Sequence, residues 1–163
     1  MGPLEARAAR NALAKASSVA SRLEDGLVIG ADTLVEKDGL VYGKPMNDLE
    51  AETMLRALRG SVHRVVTAVA VNDVKTGRVE TGIEETRVHV RNLTDEEISM
   101  YVATGEPIGK AGGYAIQGIG AVLIDHIEGC FFNIVGLPIP RLSELLKRLG
   151  VDIFTLRRQA VGD

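Results

Sequence analysis

Leu27-Val28-Ile29-Gly30-Ala31-Asp32-Thr33 is the stretch that decides the fold. An unbroken apolar run ending at an acidic residue reads as a short strand buried on both faces. In open α/β sheets ligands bind outside the carboxyl ends of such strands, which is where Asp32 falls. A carboxylate there can hold Mg²⁺ or orient a water. The competing reading is a turn or helix-cap aspartate, which the strand-like continuation Thr33-Leu34-Val35 weakens.

Working outward, residues 4–23 read as a helix, with Leu4, Ala8, Ala12, Ala16 and Leu23 on one face and Pro3 in the first turn. Gly26 closes that unit. On the other side, Leu34 to Tyr42 reads as a hairpin around Lys37-Asp38-Gly39. Asn47 and Glu50 form a helix start, and the helix Leu49 to Leu58 stops at Gly60. Val62 to Val71 and Val79 to Val90 are long strands. Thr86, Val88 and Val90 alternate with Glu85, Arg87 and His89, which predicts one wet face. Thr94 and Glu97 form a second capping box, opening a helix that ends near Gly105. Gly105 to Gly120 is irregular, with further glycines at 109, 112, 113 and 118. Ala121 to Ile127 reads as a strand, which Glu128-Gly129 turns back into Phe131 to Val135. A last helix covers Pro140 to Leu149, and a frayed tail follows Phe154. The pattern is α/β, organised as a single domain over residues 1–163.

The composition narrows the function classes. Of 163 residues, 45% are hydrophobic and 25% charged, as in an ordinary globular chain. Aromatics make up 4% with no Trp, so the core is aliphatic. A formal net charge of -3 argues against broad nucleic-acid binding, though not against a small phosphorylated ligand. Cys130 is the only cysteine, so no internal disulfide can form, as suits a reducing compartment. No run approaches the ~20 apolar residues of a membrane span, and the N-terminus lacks a signal-peptide core. A cytoplasmic protein is expected.

Other residues point to phosphate. Lys44 sits in Gly43-Lys44-Pro45, where Gly admits close backbone approach and Pro fixes the chain after the cation. An exposed loop lysine is the commoner explanation of that tripeptide alone. Lys110 and Gln117 flank a glycine-rich loop that could present N–H groups to phosphate oxygens, or could be a solvated surface loop. Lys15 lies near the alanine face of the first helix, by default as a snorkelling surface lysine. His63 and Thr67 point to the same side of one strand, and His63 reads as a packed or solvated strand histidine. His63, His89 and His126 lack HxxxH-type spacing, so no zinc site is expected. Walker A, G-x-S-x-G and Rossmann G-x-G-x-x-G patterns are absent. What is left suggests phosphate with a hard metal ion.

Ala31-Asp32-Thr33, Gly43-Lys44-Pro45, Lys110-Ala111-Gly112 through Ile116-Gln117-Gly118, Ile127-Glu128-Gly129 and Val135-Gly136-Leu137-Pro138 resemble, in order and spacing, the motifs of the Maf family. The resemblance implies a Maf/ITPase-like fold: a twisted mixed sheet flanked by helices, with a ligand cleft between two lobes. It implies a nucleoside triphosphate pyrophosphatase, preferring dTTP and UTP because Asp32-Thr33 resembles that branch. Asp32 would be the water-activating base or metal ligand. Lys15, Thr33, Lys44, Lys110 and Gln117 would be substrate-binding. Mg²⁺ or Mn²⁺, a homodimer and a link to septum formation are further implications. The family's preceding strand and Ser-x-Ser-Pro-Arg-Arg loop have no counterpart here, so weakened triphosphate binding is expected. Two alternatives follow: a non-catalytic nucleotide-binding or cell-division interaction protein, and a purine-directed ITPase-like enzyme.

Overall fold

The computed structural model describes residues 1–155. Its elements run α1 (Pro3–Ala20), β1 (Leu27–Lys37), β2 (Leu40–Tyr42), α2 (Asp48–Leu58), β3 (Val62–Asp73), β4 (Val79–Val90), α3 (Asp95–Val102), β5 (Ile124–Glu128), α4 (Phe131–Val135) and α5 (Ile139–Arg148). The five-stranded sheet has the order β2-β1-β3-β4-β5, and both β1–β2 and β4–β5 pair antiparallel. An α/β sheet flanked by helices is thus what the chain forms. No helix among the described residues is long and apolar enough to cross a membrane.

The chain divides into two compact units. One holds Met1–Asp32, Thr67–Glu84 and the described residues from Gly136. There α1 buries Ala8, Ala12, Ala16 and Ala20, spaced four apart on one face. These small side chains, with Gly30, let helix and strand meet at backbone distance. A Cβ added at Gly30 would press on the Ala12 carbonyl oxygen and lie 2.8 Å from the Ala16 amide nitrogen. The apolar weight of this unit lies elsewhere: Leu142, Leu145, Leu146 and Leu149, on and just past α5, pack with Val69 and Val71.

The second unit holds Thr33–Val66 and Glu85–Val135. Its core gathers Val35, Leu55, Leu58, Val65, Val88, Ile98 and Tyr101, among others. The helix starts follow the sequence closely. Asn47 accepts from the Glu50 amide at 2.9 Å. Thr94 and Glu97 bond reciprocally, at 2.7 and 3.1 Å. Asp38 and Gly39 both take positive φ, 53° and 81°, as a two-residue hairpin turn requires. The wet face of β4 is also present, with Val88 and Val90 buried and Arg87 exposed.

Four expectations need correction. The strand at Leu27 is not buried on both faces: Val28 and Gly30 are covered, whereas Leu27 and Ile29 are 37% and 45% exposed. An apolar run cannot reveal whether its second face is covered. Helix α1 ends at Ala20, leaving Leu23 exposed. The segment Ile119–Leu123 is 3₁₀-helical, and strand β5 begins only at Ile124. Just before it, the Glu106 carboxylate takes the N–H groups of Ile119 and Gly120, and the Ala121 N–H turns back to the Gly118 carbonyl at 3.2 Å instead of joining a ladder. Phe131–Val135 is a short helix, not a returning strand, and its fully buried Asn133 donates to Val65 O and Thr86 Oγ1, each at 2.9 Å. Beyond Thr155, the tail expected after Phe154 lies outside the described residues.

Gly30→Ala should lower unfolding stability by ~1–3 kcal/mol, the usual cost of overpacking. Urea denaturation checks this, and an unchanged midpoint would show that the α1–β1 contact yields without strain.

Candidate active site

Asp32 is built from α1 and β1. The alanine face of α1 packs on the sheet, and this brings Lys15, next to Ala16, over the strand. Its ammonium lies 2.6 Å from Asp32 Oδ1 and donates to the Ala31 carbonyl at 2.9 Å. The other carboxylate oxygen, Oδ2, accepts from Asn11 Nδ2 at 2.9 Å. The Asp32 side chain is 14% exposed and that of Lys15 57%. Lys15 is therefore a partner of the aspartate and not merely a surface lysine. Sequence reasoning missed Asn11, although its place one turn before Lys15 put it on the same edge of the helix.

The remaining expected residues belong to the other unit. Thr33 continues β1. Lys44 and Gln117 are exposed, as is Lys110. The Gly43 carbonyl accepts from Gly112 N at 3.0 Å, and the Pro45 carbonyl from Gly109 N at 3.1 Å. These bonds on either side of Lys44 tie its segment to the loop that carries Lys110. The structure thus forms two groups: Asp32 with Lys15 and Asn11, and the Lys44 segment with the Lys110 loop.

Many of that loop's amides are already engaged. Gly109, Gly112, Gly113 and Ala115 donate to Pro45 O, Gly43 O, Lys110 O and Tyr101 Oη. Ile119 and Gly120 donate to Glu106, which also accepts from Tyr101 Oη at 2.8 Å. Burial works to raise the Glu106 carboxyl. The hydrogen bonds from Tyr101, Gly120 and Ile119 outweigh it, with Lys110 acting in the same sense, so its pKa ends below the ordinary value. These amides are engaged within the protein, while the Lys110 and Gln117 side chains are exposed.

His63 is packed, 1% exposed, with Nε2 2.8 Å from Tyr114 Oη and Nδ1 without a hydrogen-bond partner. Burial, then the charges of Lys37 and His89, lower its pKa to about 4. It lines a hollow of about 430 Å³ with Glu36, Lys37, Asp38, Val62, Arg64 and Arg87, and none of the expected site residues lies there.

An α/β sheet with a lysine-paired aspartate and lysine-bearing loops has the chemistry of a phosphate-handling protein. The Maf-like protein family model matches residues 2–149, and the chain belongs to that family. It is 51% identical to the dTTP/UTP pyrophosphatase of Pelotomaculum thermopropionicum, over 85% of this chain and 73% of that one. It is 46% identical to the dTTP/UTP pyrophosphatase of Dictyoglomus thermophilum, over 88% and 75%. It is also 46% identical to that of Syntrophomonas wolfei, over 93% and 81%.

The lowered His63 pKa has a stability consequence. Below about pH 6.5 the unfolded chain binds a proton that the native chain refuses until about pH 4. Stability is therefore lost as pH falls across that window. Between pH 6.5 and 5 the loss should reach at most ~2 kcal/mol. Urea titrations should show a shallower pH dependence for His63→Gln; identical slopes would mean that His63 does not titrate in this way.

Proposed function

We propose that this chain hydrolyses dTTP and UTP to the nucleoside monophosphate and pyrophosphate. The observation that carries the reading is the Asp32 carboxylate fixed by Lys15 and Asn11. The names of the relatives supply the substrate class. In the proposed step a water oxygen bonds to the α-phosphorus, the bond from that phosphorus to the bridging oxygen breaks, and pyrophosphate leaves. Asp32 takes the water's proton. Lys15 holds the carboxylate in place and offers its ammonium to phosphate oxygen once substrate arrives. Lys44 and Lys110 supply point charges for the triphosphate, while Thr33 and Gln117 set the choice of substrate.

A divalent cation fits the donor set. Asp32 offers hard carboxylate oxygen, and Mg²⁺ is commonly held by one or two carboxylates plus substrate phosphates. Mg²⁺ or Mn²⁺ bound there would neutralise phosphate charge and acidify water. We also read the setting as cytoplasmic, in keeping with the free Cys130, and the assembly as a homodimer, as in the family.

Pyrophosphate release from dTTP, UTP, CTP, ITP and 7-methyl-GTP, with Mg²⁺ or Mn²⁺ and with chelator, is the direct test. Metal-dependent release from dTTP and UTP is expected. Asp32→Asn should cut kcat by ~10²–10⁴, the usual worth of a general base, without unfolding the protein. Lys44→Ala should lower kcat/KM. A folded chain that binds nucleotide without turnover would support the non-catalytic alternative. Turnover of ITP alone would overturn the assignment of Thr33 and Gln117, and an active Asp32→Asn variant would remove Asp32 from its role.

A further inference from the structure

Strand pairing brings together residues that sequence spacing kept apart. In the antiparallel pair β4–β5, His89 stands opposite His126 and Arg87 opposite Glu128. His126 and Glu128 are two residues apart on β5, so they share a face, and His89 faces the same side. The two imidazoles stack with centroids 3.8 Å apart, and His89 Nε2 lies 2.6 Å from Glu128 Oε1. One ligand atom from each of His89, His126 and Glu128 falls within 4.8 Å of the other two. Ligands sharing a tetrahedral Zn²⁺ at ~2.0–2.1 Å stand roughly 3.3 Å apart, so the stacked rings must rotate out of parallel for their nitrogens to converge on one ion.

We propose that His89, His126 and Glu128 form a second metal site, distinct from Asp32, that takes Zn²⁺ or a similar imidazole-seeking divalent ion. Two nitrogens and one carboxylate oxygen select Zn²⁺, Co²⁺ or Ni²⁺ over Mg²⁺. A second feature supports the assignment. The register breaks between His89 and Val90, where β5 passes from His126 to Ile124, leaving Asp125 as the extra residue of a β-bulge. The Asp125 carboxylate lies 2.9 Å from His126 Nδ1. That contact holds a proton on Nδ1 and leaves Nε2 as the coordinating atom, the outer-sphere arrangement that supports metal-binding histidines. His126 and Glu128 are each 54% exposed on the side chain, so an ion can enter from solvent. Because β5 is a terminal strand of the sheet, a bound ion would staple that edge to β4.

The test is titration of the metal-free full chain with ZnCl₂ by calorimetry, and with CoCl₂ by visible absorption, at neutral pH. One equivalent should bind, Co²⁺ should develop d–d bands, and Zn²⁺ should raise Tm. His126→Ala and Glu128→Gln alter exposed side chains. Each should weaken binding by at least the ~10–100-fold that loss of a supporting hydrogen bond costs. Asp125→Asn should weaken it less, and Asp32→Asn not at all. Mg²⁺-supported pyrophosphate release should be unchanged in His126→Ala. Absence of Zn²⁺ binding by the folded protein would overturn the proposal, as would one-equivalent binding that survives both His126→Ala and Glu128→Gln.

Discussion

Helix α1 lies on β1 at backbone distance because neither surface carries bulk where they meet. Alanines spaced four apart face Gly30, and even one methyl group at that glycine would collide with helix backbone. Alanine gives α1 high intrinsic helicity, but it buries little apolar area. The leucines of α5 and the valines of β3 supply that burial within the same unit. The α1 contact therefore contributes mostly position. A helix seated one side-chain layer higher could not keep Lys15 within 2.6 Å of Asp32 while also reaching the Ala31 carbonyl.

That proximity bears on the proposed chemistry. Lys15 and Asn11 between them engage both oxygens of the Asp32 carboxylate. The ion pair thus suits a resting site, where it holds the aspartate oriented with both oxygens engaged. Arriving phosphate oxygens would compete for the same ammonium. In the proposed step, Lys15 turning toward them would free Asp32 Oδ1 to meet a water. Asn11, being neutral, can go on holding Oδ2 and keep the carboxylate in register while Lys15 changes partner.

Local grammar made much of the fold legible. Asn47, Thr94 with Glu97, and Asp38-Gly39 each act through bonds or dihedrals to near neighbours, and each appears in the structure where the sequence places it. Features set by distant partners were not readable. Asn133 helps turn 131–135 into a helix by bonding Val65 and Thr86, and nothing within that segment announces those partners. From its own helix Lys15 read as a snorkelling surface lysine, because Asp32 is far from it in sequence; the family resemblance alone pointed it at the site. Asn11 was overlooked for the same reason. The meeting of His89 and His126 depends on a strand register, including a bulge, that residue spacing does not encode.

The loop from Gly105 to Gly120 shows why glycine density is an ambiguous signal. Glycines are needed when N–H groups must face an anion, but also when backbone must turn through positive φ or pack closely. Here Gly109, Gly112 and Gly113 all take positive φ, and the amides of Ile119 and Gly120 turn to an internal anion, Glu106. What the loop gains is rigidity. Its amides at Gly109 and Gly112 hold both ends of Gly43-Lys44-Pro45, so the lysines at 44 and 110 extend from one hydrogen-bonded framework. A triphosphate meeting two lysines on a hydrogen-bonded framework would be spared part of the cost of ordering backbone on binding. Under the proposed function the glycines would serve phosphate recognition through the placement of Lys44 and Lys110, while the engaged amides hold the loop.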